Sequence, residues 1–89
     1  MYSQSIKILN KAGLHARPAS LFIKTAAKFN SDIYIKFSGK TINAKSIVSV
    51  LSAGINSGSE IEMTAEGADE KAAIKSLVEL IHSNFGEAF

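Results

Sequence analysis

The segment Gly13-Leu14-His15-Ala16-Arg17-Pro18 sets a histidine and an arginine two residues apart, directly after a glycine loop. Imidazole acts as a nucleophile or base near neutral pH. Guanidinium is a permanent cation whose planar fork matches phosphate oxygens. The residues after His15 have a helical pattern, which makes His15 the expected N-cap. The first N–H groups of a helix have no acceptor within it, and the macrodipole adds partial positive charge, so such a start binds anions. A nucleophile, an anion site and a phosphate-binding cation thus fall together, and the chemistry they suit is phosphoryl transfer. A polar residue that only caps a helix fits the same spacing.

Ser46 is a second candidate. Serine is among the best N-caps, and that alone accounts for it. A phosphate placed there would meet free backbone N–H groups. Ile47, Val48 and Leu51 beside it suggest an apolar patch, although their helical spacing fits core equally well. Lys24, Lys28, Lys40 and Lys45 form a plausible docking rim. The other histidine, His82, reads as a structural residue in the last turn of the final helix. With no cysteine present, two distant histidines make a poor metal site, and none is expected.

The elements that must position these groups follow from periodicity. Residues 5–9 alternate as a strand, and a loop covers 10–13. Ala19, Phe22, Ala26 and Phe29 mark one stripe of a helix over about 16–29, with Pro18 tolerated in its first turn. Residues 33–37 alternate cleanly, and Ser38-Gly39 turns them into a short strand over 40–43. Ser46 opens a short helix with Ile47, Val50 and Leu51, stopped by Gly54. After a turn at Asn56-Ser57-Gly58-Ser59, Ile61, Met63 and Ala65 alternate with polar residues over 60–66. Asp69 then caps a last helix carrying Ala73, Leu77, Leu80 and Ile81, closed by Gly86. The order β-α-β-β-α-β-α and the half-polar strands predict an α+β open-faced sandwich. Its four-stranded antiparallel sheet would carry three helices on one face.

Bulk properties narrow the function classes. The 89 residues suffice for one domain, and at 46% apolar and 20% charged they can bury a core. Absence of cysteine fits a reducing compartment, and the sequence shows neither a secretory leader nor a membrane span. The protein is expected to stay in the cytoplasm. Residues 1–45 hold eight basic residues and one acid, a net of +7, and the remainder nets −5. Such asymmetry suits an acidic partner, or is ordinary surface charge. A nucleic-acid-binding domain is disfavoured, because only Tyr34 and Phe37 supply strand aromatics near one hairpin. A small phosphatase would release phosphate rather than hold it.

Gly13-Leu14-His15-Ala16-Arg17-Pro18-Ala19 resembles the active-site signature of HPr, the histidine-containing phosphocarrier family of the bacterial sugar phosphotransferase system. Gly39-Lys40 followed by Ala44-Lys45-Ser46-Ile47 resembles the segment around that family's regulatory serine. Gly54-Ile55 and Gly67-Ala68-Asp69-Glu70 match further positions. The likeness covers essentially the whole chain, read as a single phosphocarrier domain over 1–89. It implies that His15 accepts a phosphoryl group on Nδ1 from phosphorylated Enzyme I. The group then passes to a histidine on the A domain of a sugar-specific Enzyme II. Arg17 and the backbone of Ala16 and Arg17 would hold the phosphate, and Ser20, Lys24, Ile47, Val48 and Leu51 would receive partners. Ser46 would be modified by HPr kinase/phosphorylase. The implied protein is a stoichiometric carrier rather than an enzyme, monomeric and free of cofactors. The alternative within the family is a regulatory paralogue acting mainly through Ser46 or nitrogen control. Ala12 departs from the serine or asparagine common in the family, and Val48 and Leu51 stand where methionines are common. The tail Glu87-Ala88-Phe89 gives no basis for a role of the terminal carboxylate.

Overall fold

The structure, a computed structural model, describes residues 1–86. Strands β1 (Tyr2–Lys7), β2 (Asp32–Phe37), β3 (Lys40–Asn43) and β4 (Glu60–Glu66) form one antiparallel sheet in the order β1-β4-β2-β3. Helices α1 (Ala16–Ala26), α2 (Ile47–Ser52) and α3 (Glu70–His82) complete the open-faced sandwich. Alternation decides the faces. Ile6, Ile33, Ile35, Ile42, Ile61, Met63 and Ala65 point to the helices and are buried, and their intervening neighbours form the polar face. Register stacks these side chains directly, Ile6 opposite Ile61 and Ile35 between Met63 and Ile42. Against them pack Ala19, Phe22 and Ala26 of α1, Val50 of α2, and Ala73, Ile74, Leu77 and Ile81 of α3. The hairpin turns on Ser38 and Gly39, both at positive φ, as a two-residue loop matched to strand twist requires.

Several boundaries differ from the sequence reading. The first strand begins at Tyr2 and ends at Lys7, not 5–9. Ile8 still exchanges backbone bonds with Gly58 and Ser59, but Leu9 turns outward to 58% exposure. Helix α1 ends at Ala26 rather than Phe29, because the N–H groups of Lys28 and Phe29 bond three residues back and tighten the turn. Of the apolar residues expected to face inward from α2, only Val50 is buried. Helix α3 stops at His82, and a 3₁₀ turn over Asn84–Gly86 inserts Phe85 into the core. The tail Glu87-Ala88-Phe89 lies outside the described residues.

Asp69 stands at the N-cap position of α3 yet makes no side-chain cap bond. Its carboxylate instead accepts from the backbone N–H groups of Asn30 and Ser31, at 2.8 and 2.9 Å, and from the Ser31 hydroxyl. This latch joins the turn after α1 to the start of α3. The Ser31 hydroxyl bond foremost, then the Asn30 N–H, lowers the Asp69 pKa. A depressed folded-state pKa adds stability above the unfolded value near 3.9, and the contribution is lost as pH falls through the folded one. Asp69→Asn is therefore expected to lower the unfolding midpoint at neutral pH. Thermal melts from pH 7 to 2 should show the gap to the parent closing in acid; a gap independent of pH would remove the latch.

Candidate functional site

Two loops build the site. In the first, the Asn10 side-chain amide donates to Gly13 O at 3.0 Å, and Gly13 N–H donates to Asn10 O at 3.2 Å. The next residue, Leu14, is fully buried, and its N–H donates to Ile55 O at 2.9 Å in the loop after α2. Gly13 has φ +65°, and a Cβ there would lie 2.7 Å from Ile55 O and 2.8 Å from Asn56 Cα. Only glycine permits that approach. His15 is thus held between the buried Leu14 and the buried Pro18-Ala19 pair of α1.

His15 occupies the N-cap position with extended backbone, and its side chain makes no cap bond. The ring instead reaches across the junction, with Nε2 3.0 Å from Oδ1 of Asn56. A plain capping role therefore does not account for the residue. Ala16 follows at φ +49°, in the left-handed region, at a cost of about 1–2 kcal/mol for a residue with a Cβ. Arg17 is exposed, and among the described residues its guanidinium has no hydrogen-bond or ion-pair partner. A half-buried imidazole, a strained helix entry and an uncommitted guanidinium lie within three consecutive residues.

Sequence reasoning missed Asn56. It stood in a stretch of turn-forming residues, and nothing local distinguishes a turn asparagine from one bonded to a histidine 41 positions away.

Ser46 caps α2, its Oγ accepting from Ser49 N–H at 3.3 Å. Ile47, Val48 and Leu51 are 41%, 70% and 41% exposed, so this stripe is surface and not core. Because α2 packs on α1, the patch lies beside the helix that His15 opens. Ser20 is half-buried on α1, and Lys24, Lys28 and Lys40 are exposed. Lys45 belongs less to a free basic rim, since its Nζ donates to Phe29 O at 2.7 Å. His82 is exposed at the far end of α3. Among the described residues no three His, Asp or Glu side chains gather as a metal site, and no helix is long and apolar enough to cross a membrane.

Fold and site together give a small α+β open-faced sandwich with a half-buried histidine at the head of α1 and an exposed arginine two residues on. The family model for the HPr component of the phosphotransferase system, described by its phosphorylation site, matches residues 2–83. The chain belongs to the HPr family. Its fold superposes on the HPr-C-His protein of Thermoanaerobacter tengcongensis with a TM-score of 0.98 at 50% identity, over 100% of both chains. It resembles the phosphocarrier HPr of Bacillus anthracis at 0.87 and 41% identity, over 90% of this chain and 95% of that one. It also resembles Crh, the Bacillus subtilis catabolite repression protein, at 0.74 and 37%, over 94% and 97%.

Proposed function

We propose that this protein carries a phosphoryl group on His15, taken from phosphorylated Enzyme I and passed to the A domain of a sugar-specific Enzyme II. One observation carries the reading: His15 sits at a helix head without capping it, next to an uncommitted arginine. The imidazole is the nucleophile, and Arg17 with the first N–H groups of α1 receives the phosphate oxygens. The protein is consumed and regenerated stoichiometrically, as a cytoplasmic monomer, and is no catalyst. The exposed stripe Ile47, Val48 and Leu51, with Ser20 and Lys24 on the adjacent helix, is the docking face. Incubation with phosphoenolpyruvate and Enzyme I is expected to place an acid-labile, alkali-stable phosphoryl group on His15. An acid-stable product, or none, overturns the reading.

Ser46 is proposed as a regulatory site for HPr kinase/phosphorylase, because a phosphate there falls beside the apolar docking stripe. Ser46→Asp is expected to slow transfer from Enzyme I without loss of stability. A carboxylate at a helix start gains about 0.3–1 kcal/mol and still accepts the capping bond. The loss should appear as weaker association, and salt should narrow it by screening. Ser46→Ala should transfer near normally and melt slightly lower. Equal low-salt rates for parent and aspartate variant would leave Ser46 a cap only.

The likeness to Crh favours one second reading, a regulatory paralogue acting mainly through Ser46. Such a protein takes phosphate from the ATP-dependent kinase and none from Enzyme I, so the same incubation separates the two.

A further inference from the structure

The contact between His15 and Asn56 joins two loops that α1 and α2 would otherwise present separately. We propose that Asn56 is a positioning residue for phosphoryl transfer: its Oδ1 accepts the Nε2–H of His15 and so presents the Nδ1 lone pair to the incoming phosphorus. The inference rests on the reading of His15 as acceptor.

A carboxamide oxygen only accepts, so a ring nitrogen 3.0 Å from it must carry the proton. Neutral imidazole has one N–H, which leaves Nδ1 as the site of the free lone pair. The acceptor itself is held in place. Asn56 N–H donates to Ser59 Oγ at 3.2 Å, and its carbonyl accepts from Ser59 N–H at 3.0 Å. The Leu14–Ile55 bond and the Gly13 contact tie this loop to the backbone just before His15. Both ends of the hydrogen bond therefore hang on one shared junction. A turned-over amide would offer Nδ2 as donor, require a lone pair on Nε2 and move the proton onto Nδ1. The two arrangements have opposite consequences for nucleophilicity.

The bond also gains strength as reaction proceeds. The Nδ1 lone pair forms the new bond to phosphorus while the bond from phosphorus to the donor breaks, and the departing donor takes that electron pair. The ring becomes cationic and keeps its Nε2 proton. A neutral hydrogen bond to Oδ1 thus turns charge-assisted in the transition state, which is the condition for it to accelerate transfer. Onward transfer reverses these steps, with the electron pair returning to Nδ1.

Ring nitrogen-15 spectra of the unphosphorylated protein and transfer rates from phosphorylated Enzyme I test the proposal together. The parent is expected to show His15 in the Nε2–H form. Asn56→Ala should raise the Nδ1–H form, and Asn56→Asp, which keeps an oxygen acceptor, should restore Nε2–H. The maximal transfer rate of Asn56→Ala should fall about fivefold with KM for Enzyme I unchanged. An Nδ1–H ring in the parent overturns the proposal, as does an Asn56→Ala protein whose ring spectrum or maximal rate matches the parent's. A parent that takes no phosphoryl group overturns the acceptor reading and the role of Asn56 with it.

Discussion

Replacing His15 with alanine is expected to leave no detectable acid-labile phosphoryl group after incubation with Enzyme I, while unfolding stays cooperative. The two halves of this result have separate causes. Removal of the imidazole removes the nucleophile, and nothing near it can substitute, since His82 lies at the far end of α3 and the chain has no cysteine. The folding half follows from what His15 does not do. Its side chain caps nothing, and its hydrogen bond to Asn56 is exposed. Loss of such a bond costs about 0.5 kcal/mol, a fall in melting midpoint of about 2–4 °C for a domain of this size. Phosphotransfer assays and thermal melts of the same preparation check both halves. A variant that melts non-cooperatively would show that His15 holds the fold instead.

Gly13→Ala is expected to do the reverse, damaging both structure and transfer although glycine has no chemistry. The new methyl group would sit 2.7 Å from Ile55 O, and the three nearest atoms are all backbone, which cannot rotate away. Positive φ adds a second penalty. Together these are worth about 2–4 kcal/mol, which corresponds to a midpoint roughly 10–20 °C lower. Relief requires the two loops to separate, and separation breaks the Leu14–Ile55 bond and carries Asn56 away from His15. Transfer should fall even at temperatures where the variant is folded. Normal melting with normal transfer would mean that the loops tolerate separation.

These two residues also show what a single sequence can and cannot say. The β-α-β-β-α-β-α order was legible because the strands alternate with period two and α1 carries a clear stripe at Ala19, Phe22 and Ala26. His15 and Arg17 were legible because their chemistry sits within three consecutive residues. Asn56 was not, since its partner is brought close only by the fold. Asp69 takes the N-cap position that its local sequence predicts, but the partners of its carboxylate were not legible, because Asn30 and Ser31 reach it from another turn. Leu51 and Val50 share a helical stripe in sequence, and only packing against α1 and β3 decides that one is buried and the other exposed. Phe85 escaped notice because it lies past the last periodic residue of α3, in a 3₁₀ turn at φ +57°.

Strand β4 lies between β1 and β2, though it is the last strand to be synthesised. Until it arrives, β1 has no partner, and the hairpin of β2 and β3 exposes one long edge. The pairings of β4 with β1 close loops of roughly sixty residues, Tyr2 reaching Ala65 and Ser3 reaching Thr64, and the loop entropy they must overcome makes late formation the expected order. The loop that carries Asn56 leads directly into this strand, and it is anchored to Leu14 through Ile55 and to Ile8 through Gly58 and Ser59. On the ribosome, the histidine emerges early and remains an ordinary loop residue until β4, and the α3 residues that cover the sheet, have followed it. Phosphoryl acceptance should therefore appear in one step during synthesis, when β4 docks, and not gradually as the chain lengthens.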